Sequence, residues 1–395
     1  MKAAGIICEY NPFHAGHAIH IEKTRSALGG DCAIVCVMSG NFVQRGDVAV
    51  FNKHARAKAA VLCGADLVLE IPTPYALSSA KGFAEAGVRI LDSLGACGYI
   101  SFGSESGDIE ALREAAAAIA STEADGLIKV WLDKGLSYAA AQQKAADAVI
   151  GSCSDLFRSP NNLLGIEYLK AIFELGSPMQ AITIKRAGGE HDCDTGLSAT
   201  ALRKALLRGD KTPALMPDAA ELVCTEEIEA GRGPMSIKQY ELAMLSRLRS
   251  AKGFALLPGA TEGLEFRFMR YAASEPTIEA LLEKVKTKRY AMSRLRRMLV
   301  CACLGITAAD TTKPPPYIRV LAMDQTGMKL LSEARKKARL PVITKPASAK
   351  KLAGRAADMF YKEAAATDFY SLAYPGADNR SGGQEWRRSP HILDD

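Results

Sequence analysis

The sequence predicts an α/β fold in which a doubly wound parallel sheet is followed by a mostly helical C-terminal region. In the first two hundred residues, short apolar runs alternate with segments of helical periodicity. This alternation is typical of a parallel sheet with helices on both faces. From about Thr212 onward the alternation is lost. We therefore expect two domains, residues 1–210 and 211–395, in agreement with roughly 150 residues per domain.

Five buried strands are predicted in the first region, because each is a brief apolar run that is rich in Ile and Val or bounded by turn residues. Helical spacing between them predicts four helices, and Gly64 and Gly95 follow two of these where helix C-caps favour glycine. Ligands of such sheets bind at the carboxyl ends of the strands. The strands are predicted over 3–7, 32–38, 67–71, 99–102 and 181–185, and the helices over 16–28, 52–63, 79–94 and 108–119.

The second region is predicted to be mostly helical. Amphipathic spacing indicates helices over 236–250, 277–286 and 291–304. Linkers rich in Gly, Pro or Thr separate these helices from the rest. Farther along, two apolar runs that flank a helical stretch predict a small βαβ unit, with its elements over 317–323, 330–338 and 342–344.

Composition excludes several classes of protein. Hydrophobic residues make up 48% of the chain and charged residues 24%, so a core can form and wholesale disorder is excluded. Ten cysteines form no CxxC pair, which argues against zinc ribbons and redox motifs. No segment reaches the roughly 18 uncharged apolar residues of a membrane span. We expect a cytoplasmic protein with reduced thiols and no membrane partner.

The first candidate site, EYNPFHAGH over 9–17, directly follows the first strand. Gly16 permits close backbone approach, while His14 and His17 fall on one face of a helix start beside unpaired N–H groups. A helix N-terminus attracts anions, and two imidazoles can donate hydrogen bonds to oxygens that gain charge as pyrophosphate leaves. A pair of surface histidines or half of a metal site is the alternative. The position between strand and helix favours polyphosphate binding.

Three other segments carry candidate residues with a simpler structural interpretation beside the functional one. Arg45, in the loop 39–47, could pair with phosphate or carboxylate, or belong to a solvated turn. Gly103 could let the backbone approach a nucleotide base, or be an ordinary turn glycine. Asn161 lies in a helix cap sequence in which Ser and Asn satisfy backbone N–H groups, and reading of an adenine edge or ribose is its second interpretation.

A second phosphate-binding corner is predicted beyond the fifth strand, which Arg186 follows. Ser198 and Thr200 open the next helix, and Arg203 lies one turn inside it. Hydroxyl groups and backbone amides at a helix start, with a nearby arginine, suit an anion. A plain serine N-cap with a solvated arginine is the alternative, which a second such corner in one sheet makes less attractive.

Basic residues concentrate in the C-terminal half, although the net charge of the chain is only +6. A run of charge is usually a solvated helix face. Basic clusters beside tyrosines also resemble a phosphate-backbone surface with stacking groups. The first basic cluster is Lys284, Lys286, Lys288, Arg289, Arg294, Arg296 and Arg297, and the second is Lys329, Arg335, Lys336, Lys337, Arg339, Lys345, Lys350 and Lys351.

Taken together, these motifs resemble the bacterial tRNA(Met) cytidine acetate ligase family. The similarity runs in order through nearly the whole chain, in MKAAGIICEYNPFHAGH, MSGNFVQRGD, SFGSE, SPNNLLGIEYLKA, SATALRKAL, TKRYAMSRLRRML, ATDFYSLAYP and SGGQEWRRSP. HxGH alone would indicate only the wider nucleotidylyltransferase superfamily. The resemblance implies a Rossmann-like sheet of the nucleotidylyltransferase type.

The resemblance also implies an ATP-dependent ligase that makes acetyl-adenylate from acetate and transfers the acetyl group to the wobble cytidine of elongator tRNA(Met), without acetyl-CoA. Magnesium is expected to accompany ATP, and no carboxylate motif identifies its ligands. His14 and His17 would stabilise the leaving pyrophosphate. The implied ATP site comprises Ile7, Cys8, Glu9, Tyr10, Asn11, Pro12, Phe13, His14, Ala15, Gly16, His17, Ala18, Ile19, His20, Gly103, Asn161 and Arg186, to which we add Ser198 and Thr200.

The loop after Arg186 departs from the family pattern. It reads AGGEHD over 187–192, where a tyrosine is expected near Glu190. His191 and Asp192 in this loop could order it or form a catalytic pair. Arg186 itself matches the family pattern. The departure therefore concerns only how this loop places the nucleotide or the end of the tRNA.

Two other functions stay open from the sequence. A metabolic nucleotidylyltransferase, which joins a nucleotide to a small phosphate ester, would explain the HxGH corner equally well. It gives no reason for the further residues with basic clusters. An RNA-binding protein with a vestigial nucleotide site is the non-enzymatic alternative. Acetate-dependent pyrophosphate exchange and ATP binding discriminate among the three.

Overall fold

The computed structural model describes residues 1–136, 138–151, 156–186, 199–210, 215–261, 263–287 and 290–393. Its strands, numbered in chain order, are β1 (Ala3–Cys8), β2 (Ala33–Ser39), β3 (Phe42–Val43), β4 (Asp47–Val48), β5 (Leu67–Ile71), β6 (Tyr99–Ser104), β7 (Gln180–Lys185), β8 (Ile318–Met323), β9 (Val342–Ile343) and β10 (His391–Ile392).

The α-helices are numbered in the same way. In the first region they are α1 (Ala15–Ala27), α2 (Lys53–Leu62), α3 (Thr73–Ala76), α4 (Ala80–Leu94), α5 (Ile109–Ile119), α6 (Thr122–Asp133), α7 (Tyr138–Ile150), α8 (Pro160–Leu175) and α9 (Ala199–Arg208). Those that follow are α10 (Asp218–Glu229), α11 (Glu241–Ser250), α12 (Leu264–Ser274), α13 (Ile278–Val285), α14 (Met292–Leu304), α15 (Gln325–Ala334), α16 (Pro346–Ala349) and α17 (Gly354–Ser371).

The main sheet has the strand order β10-β8-β5-β2-β1-β6-β7, and β9 pairs with β8. Its central strands β5, β2, β1, β6 and β7 are parallel, as the alternation of apolar runs and helices predicts. The strand order reverses on either side of β1, and a parallel sheet binds ligands at such a switch point. The predicted α/β fold class is confirmed.

One difference from the prediction concerns the βαβ unit of the C-terminal half. The strands β8 and β9 are parallel to each other, as predicted, but β8 also pairs antiparallel with β5. Without β8, the main chain of β5 would present unpaired N–H and C=O groups along one edge. Residues beyond 210 therefore extend the sheet of the first region. The division of the chain at residue 210 remains a proposal.

Apolar packing also joins the two regions. Helices α11 to α14 and α17 form a core around buried side chains such as Phe268 and Leu299, and Phe42 and Val48 of the first region lie in the same core. A larger core lies between the sheet and α4, α5 and α8. The cysteines within the described ranges are free thiols. Across the same ranges, no helix combines the length and the apolar character needed to cross a membrane.

A buried ionic cluster lies where the C-terminal elements meet the sheet. The Nζ atom of Lys53 is 2.7 Å from a carboxylate oxygen of Glu70 and 2.8 Å from one of Glu385. The guanidinium of Arg319, on β8, is 2.9 Å from Glu385 and 3.6 Å from Glu70. Their side chains are at most 2% exposed. The cluster thus fixes α2, β5, β8 and the C-terminal tail to one another.

Candidate nucleotide-binding site

The HxGH segment forms the start of α1, at the carboxyl end of β1. His14 is the N-cap residue, and its Nδ1 atom accepts a hydrogen bond of 3.1 Å from the backbone N–H of Gly16. In return, the backbone N–H of His14 donates to Nδ1 of His17 over 3.2 Å. The two rings are stacked with centroids 3.7 Å apart. The sequence prediction that both histidines share one face of a helix start is confirmed.

These two hydrogen bonds determine which ring nitrogen carries the proton. Because Nδ1 accepts from the backbone in both rings, the proton of each imidazole is on Nε2. Burial lowers the pKa of His17 well below its usual value, and His14, His20 and Arg186 lower it further. His17 is therefore neutral at pH 7. Two Nε2–H donors at a helix N-terminus suit the oxygens of a phosphate group.

Two buried aromatic side chains pack against the ring of His17. The ring of Tyr10 lies 4.7 Å from that of His17, and the ring of Phe13 lies 5.5 Å away. Both aromatic residues are buried, and the Tyr10 hydroxyl lies 3.3 Å from Sγ of Cys36. Tyr10 and Phe13, which the resemblance places in the ATP site, thus pack as the wall that holds the second histidine in place.

His20 lies one turn farther along α1 and faces β6. Its Nε2 atom is 3.0 Å from Oγ of Ser101, which is in turn 2.7 Å from Oγ1 of Thr24. Thr24 donates its hydroxyl proton to the carbonyl of His20. Each hydroxyl has one proton, so Ser101 donates to Thr24 and accepts from Nε2–H of His20. Burial and the charge of Arg186 lower the pKa of His20 to about 4.

Gly103 and Arg186 are neighbours at the carboxyl edge of β6 and β7. A Cβ atom placed on Gly103 would lie 3.3 Å from Cγ of Arg186, which is closer than ordinary contacts allow. Arg186 also acts on the pKa of His17 and His20, so its charge reaches the HxGH corner. The structure therefore brings Gly103 and Arg186 to the same edge as the histidines.

Asn161 lies at the start of α8, where Glu105 supplies the cap. The Glu105 carboxylate accepts from the side-chain amide of Asn161 over 2.6 Å and from the backbone N–H of Asn162 over 2.9 Å. Ser159 is the N-cap residue but makes no side-chain cap bond. The prediction that Ser and Asn themselves cap this helix was wrong, because the carboxylate at the end of β6 reaches these donors. A role for Asn161 toward ATP remains a proposal.

The predicted second phosphate corner is described in part. Ser198 and the loop 187–192 lie outside the described residues. Thr200, in the first turn of α9, accepts a hydrogen bond of 3.0 Å from Nη2 of Arg203. The same guanidinium donates from Nη1 to the carbonyl of Asn11 over 2.8 Å. The start of α9 is thus joined to the segment before HxGH, as expected if both corners serve one ligand.

The chain is similar to known proteins over nearly its whole length. Residues 1–385 match the profile described as HIGH Nucleotidyl Transferase. A tRNA(Met) cytidine acetate ligase of Thermosipho africanus is 36% identical over 425 residues, with 100% of each chain covered. A relative of the same name from Caldicellulosiruptor saccharolyticus is 41% identical over 348 residues, which cover 85% of this chain and 86% of the relative.

This chain belongs to the tRNA(Met) cytidine acetate ligase family.

Solved structures extend the similarity to the whole fold of this family member. Thermotoga maritima TmcAL bound with alpha-thio ATP is 33% identical, with a TM-score of 0.92 and 100% of both chains covered. The apo form of the same protein gives a TM-score of 0.94, also with both chains covered in full. The family resemblance carried by the sequence motifs is confirmed.

Sequence reasoning missed one residue that shapes the site of this ligase family member. Arg56 on α2 is buried and donates to four backbone carbonyls, those of Glu9 at the end of β1, Ser39 and Gly40 at the end of β2, and Phe51. It appears in the sequence within the run KHARAKAA, where nothing separates it from a solvated helical arginine. Its position under both strand ends is visible only in the folded chain.

A metal site is not part of the described geometry. Within the described ranges, no group of three His, Cys, Asp or Glu side chains is arranged to hold a metal ion. His14 and His17 offer ring N–H groups at the HxGH corner, and the charge of Arg186 acts there. This arrangement suits an anionic ligand.

Proposed function

We propose that this protein is the ATP-dependent ligase that converts acetate and ATP to acetyl-adenylate and transfers the acetyl group to the wobble cytidine of elongator tRNA(Met). The observation that carries the proposal is the paired HxGH corner on a chain that is similar over its full length to named tRNA(Met) cytidine acetate ligases. An ATP analogue bound to the Thermotoga maritima relative supports ATP as the nucleotide.

The first step joins acetate to the α-phosphorus of ATP. An acetate oxygen forms the new P–O bond as the bond to pyrophosphate breaks, so negative charge develops on the leaving oxygens. Nε2–H of His14 and of His17 donates to those oxygens, together with the backbone N–H groups at the start of α1. Because these donors are held before ATP binds, they need little reorganisation during the reaction.

The second step transfers the acetyl group to RNA. The exocyclic amine of cytidine attacks the acetyl carbon, the bond to AMP breaks, and the amine loses one proton. The amine is itself the nucleophile, so no covalent enzyme intermediate is required. Gly103, Asn161, Arg186, Ser198 and Thr200 complete the proposed ATP site with residues 7–20, and the C-terminal region 211–395 is the proposed tRNA-binding domain.

The finer requirements of the reaction belong to the same proposal. Mg²⁺ enters as the complex with ATP, whose phosphate oxygens are ligands that it prefers. Acetate is activated directly and acetyl-CoA is not used. The reaction takes place in the cytoplasm, where the substrate tRNA is found and where thiols stay reduced.

The test is acetylation of an unmodified elongator tRNA(Met) transcript with ATP and labelled acetate. We expect N4-acetylcytidine at the wobble position, and acetate-dependent exchange between pyrophosphate and ATP without tRNA. A transcript with uridine at the wobble position is the matched control, because it lacks the amine. Lack of acetylcytidine with folded, ATP-binding protein would contradict the proposal. Exchange that depends on a phosphate ester instead of acetate would indicate a metabolic nucleotidylyltransferase.

A further inference from the structure

The β3–β4 hairpin links the candidate ATP site to the first basic cluster. On one side, the backbone N–H of Gln44 donates to the carboxylate of Glu9 over 2.6 Å, directly after β1. On the other side, Nη1 of Arg297 lies 3.3 Å from the carbonyl of Gln44 and donates to it. One residue of the hairpin thus contacts both the segment that leads into HxGH and the helix α14.

The turn of this hairpin packs directly on the backbone of α14. Gly46 adopts a φ of 73°, in the region that favours glycine. A Cβ atom at this position would lie 2.3 Å from the backbone N of Arg297 and 2.5 Å from the carbonyl carbon of Arg296. The contact leaves no room for a side chain, so the position of the hairpin relative to α14 is closely defined.

Arginines from three separate segments lie near this contact, since each of them acts on the pKa of Glu9 or of Asp47. Arg45 is exposed at the turn of the hairpin, Arg296 is exposed on α14, and Arg203 reaches over from α9 to the carbonyl of Asn11. Together they form a basic rim, which we define as Arg45, Arg203 and Arg296. It lies beside the segment that leads into α1.

Acidic groups do not cancel the basic rim. The Glu9 carboxylate accepts from Gln44, and the Asp47 carboxylate accepts from the backbone N–H of Val48 over 2.9 Å. Burial raises the pKa of both carboxyls, and the neighbouring arginines oppose that rise. The basic rim therefore places three guanidinium groups beside two carboxyl groups, so cations outnumber acidic groups there.

Two members of the second basic cluster, Lys337 and Arg339, lie elsewhere on the molecule. The backbone N–H of Arg339 donates to the carbonyl of Ser93, and Lys337 packs against Gly95. These two partners form the C-terminal end of α4, which leads into the beginning of β6 and thus lies at the amino edge of the parallel strands. The candidate ATP site is at the opposite, carboxyl edge. The structure thus separates Lys337 and Arg339 from Arg296 and Arg297 of the first basic cluster.

We propose that Arg45 and Arg296 bind the phosphate backbone of the tRNA beside the cytidine that receives the acetyl group. This inference rests on the proposed function and adds to it the place where RNA enters. Guanidinium groups bind phosphate oxygens well, and two exposed ones at the edge of the activation site can hold successive phosphates of a loop. Lys337 and Arg339, at the other edge of the sheet, take no part in this contact.

Alanine substitutions at Arg45 and Arg296, singly and together, test the proposal. We expect the double variant to raise the KM for tRNA(Met) roughly tenfold, and to affect tRNA acetylation at least tenfold more than tRNA-independent, acetate-dependent exchange. In a plot of log kcat/KM for tRNA against log salt, each substitution should reduce the slope by about 0.7, the value for one phosphate contact with a single strand.

Lys336→Ala and Lys337→Ala form the matched control, because they remove two exposed cations from the second basic cluster, and alanine keeps the Cβ of Lys337 that contacts Gly95. The control variant should leave the KM for tRNA and the salt slope as in the unmodified protein. An unchanged slope in Arg45→Ala and Arg296→Ala would overturn the proposal. So would an equal loss of exchange and acetylation, or an equal effect of the control. If the unmodified protein acetylates no tRNA, the proposed function itself fails.

Discussion

The Nζ atom of Lys53, in the first turn of α2, lies 2.8 Å from the carboxylate of Glu385, close to the C-terminus. Burial alone would lower the pKa of Lys53, but Glu385 and Glu70 outweigh that effect and raise it. Against the effect of burial, Lys53 and Arg319 lower the pKa of Glu385 to about 2. Both groups are therefore charged at pH 7. A charged pair in the interior thus joins helix α2 to the C-terminal tail of the chain.

Removing one member of this pair should destabilise the whole protein. Lys53→Met leaves the buried carboxylates of Glu70 and Glu385 without the positive charge of Lys53. Breaking a buried pair typically costs about 3–5 kcal/mol. We expect the free energy of unfolding to fall by about that amount in Lys53→Met and in Glu385→Gln, as measured by urea denaturation. A loss below about 1 kcal/mol in both variants would contradict the structural role of the pair.

Glu363→Gln provides the contrast within the same buried region. Burial and the neighbouring Glu70 carboxylate raise the pKa of Glu363 to about 8, so this carboxyl is mostly neutral at pH 7. Its oxygens meet the backbone N–H and the hydroxyl of Thr73. Glutamine is neutral; its oxygen can accept from the N–H of Thr73, and its amide group can donate to the Thr73 hydroxyl oxygen, which reverses the direction of that hydrogen bond. We expect Glu363→Gln to change the free energy of unfolding at pH 7 by less than about 1 kcal/mol, and a loss as large as that of Glu385→Gln would refute a neutral Glu363.

His17→Ala should slow formation of acetyl-adenylate by roughly two to three orders of magnitude, if its Nε2–H acts as a single preorganised donor to the leaving pyrophosphate. The rate of acetate-dependent exchange between pyrophosphate and ATP measures this step. His391→Ala, on the edge strand β10 at the far side of the sheet, is the control and should retain the rate. Full activity of His17→Ala would refute the assigned role.

Arg56→Met should weaken both stability and adenylate formation. The guanidinium donates to carbonyls at the ends of β1 and β2, and methionine would leave these buried acceptors unpaired. We expect the free energy of unfolding to fall by about 2–4 kcal/mol. Arg56→Lys retains the charge but cannot reach all the acceptors. It should therefore be intermediate both in urea denaturation and in the rate of acetate-dependent exchange between pyrophosphate and ATP. Equal behaviour of Arg56→Lys and the unmodified protein would show that charge alone matters.

Acid should destabilise the folded chain below pH 6.5. Burial lowers the pKa of His17, and lowers that of His20 from 6.5 to about 4, so these groups bind protons less readily in the folded state than in the unfolded one. Their contribution to stability is present above pH 6.5 and is lost as the pH falls toward 4, at about 1.4 kcal/mol per pH unit for each histidine.

Urea denaturation at pH 7.5, 6.5 and 5.5 measures this dependence. His20→Gln keeps an N–H donor for Ser101 but does not titrate. Between pH 6.5 and 5.5 this variant should take up about one proton fewer on unfolding than the unmodified protein, so its free energy of unfolding should fall less steeply. The same slope in His20→Gln and the unmodified protein would contradict a buried, neutral His20.

Local patterns in the sequence account for most of the strands and helices of residues 1–210. Apolar runs such as 67–71 and cap residues such as Gly95, which ends α4 with a φ of 69°, act within a few residues, so they predict the strands and helices. The HxGH geometry is equally local, because the hydrogen bonds between His14, Gly16 and His17 form within one helix turn. The cap of α8 could not be predicted, because Glu105 is distant in sequence from Asn162.

The sequence by itself determined the α/β fold, the pairing of His14 with His17 and the family to which the chain belongs. Tertiary structure alone decided that β8 joins the sheet and that Arg56 lies beneath two strand ends. It also decided that Arg296 and Arg297 lie beside the candidate ATP site while Lys337 and Arg339 lie at the opposite edge of the sheet. The physical reason is the distance along the chain between the residues that interact. Periodicity, caps and turns arise from neighbours along the chain, whereas buried charges and edge strands take their partners from segments that only folding brings together.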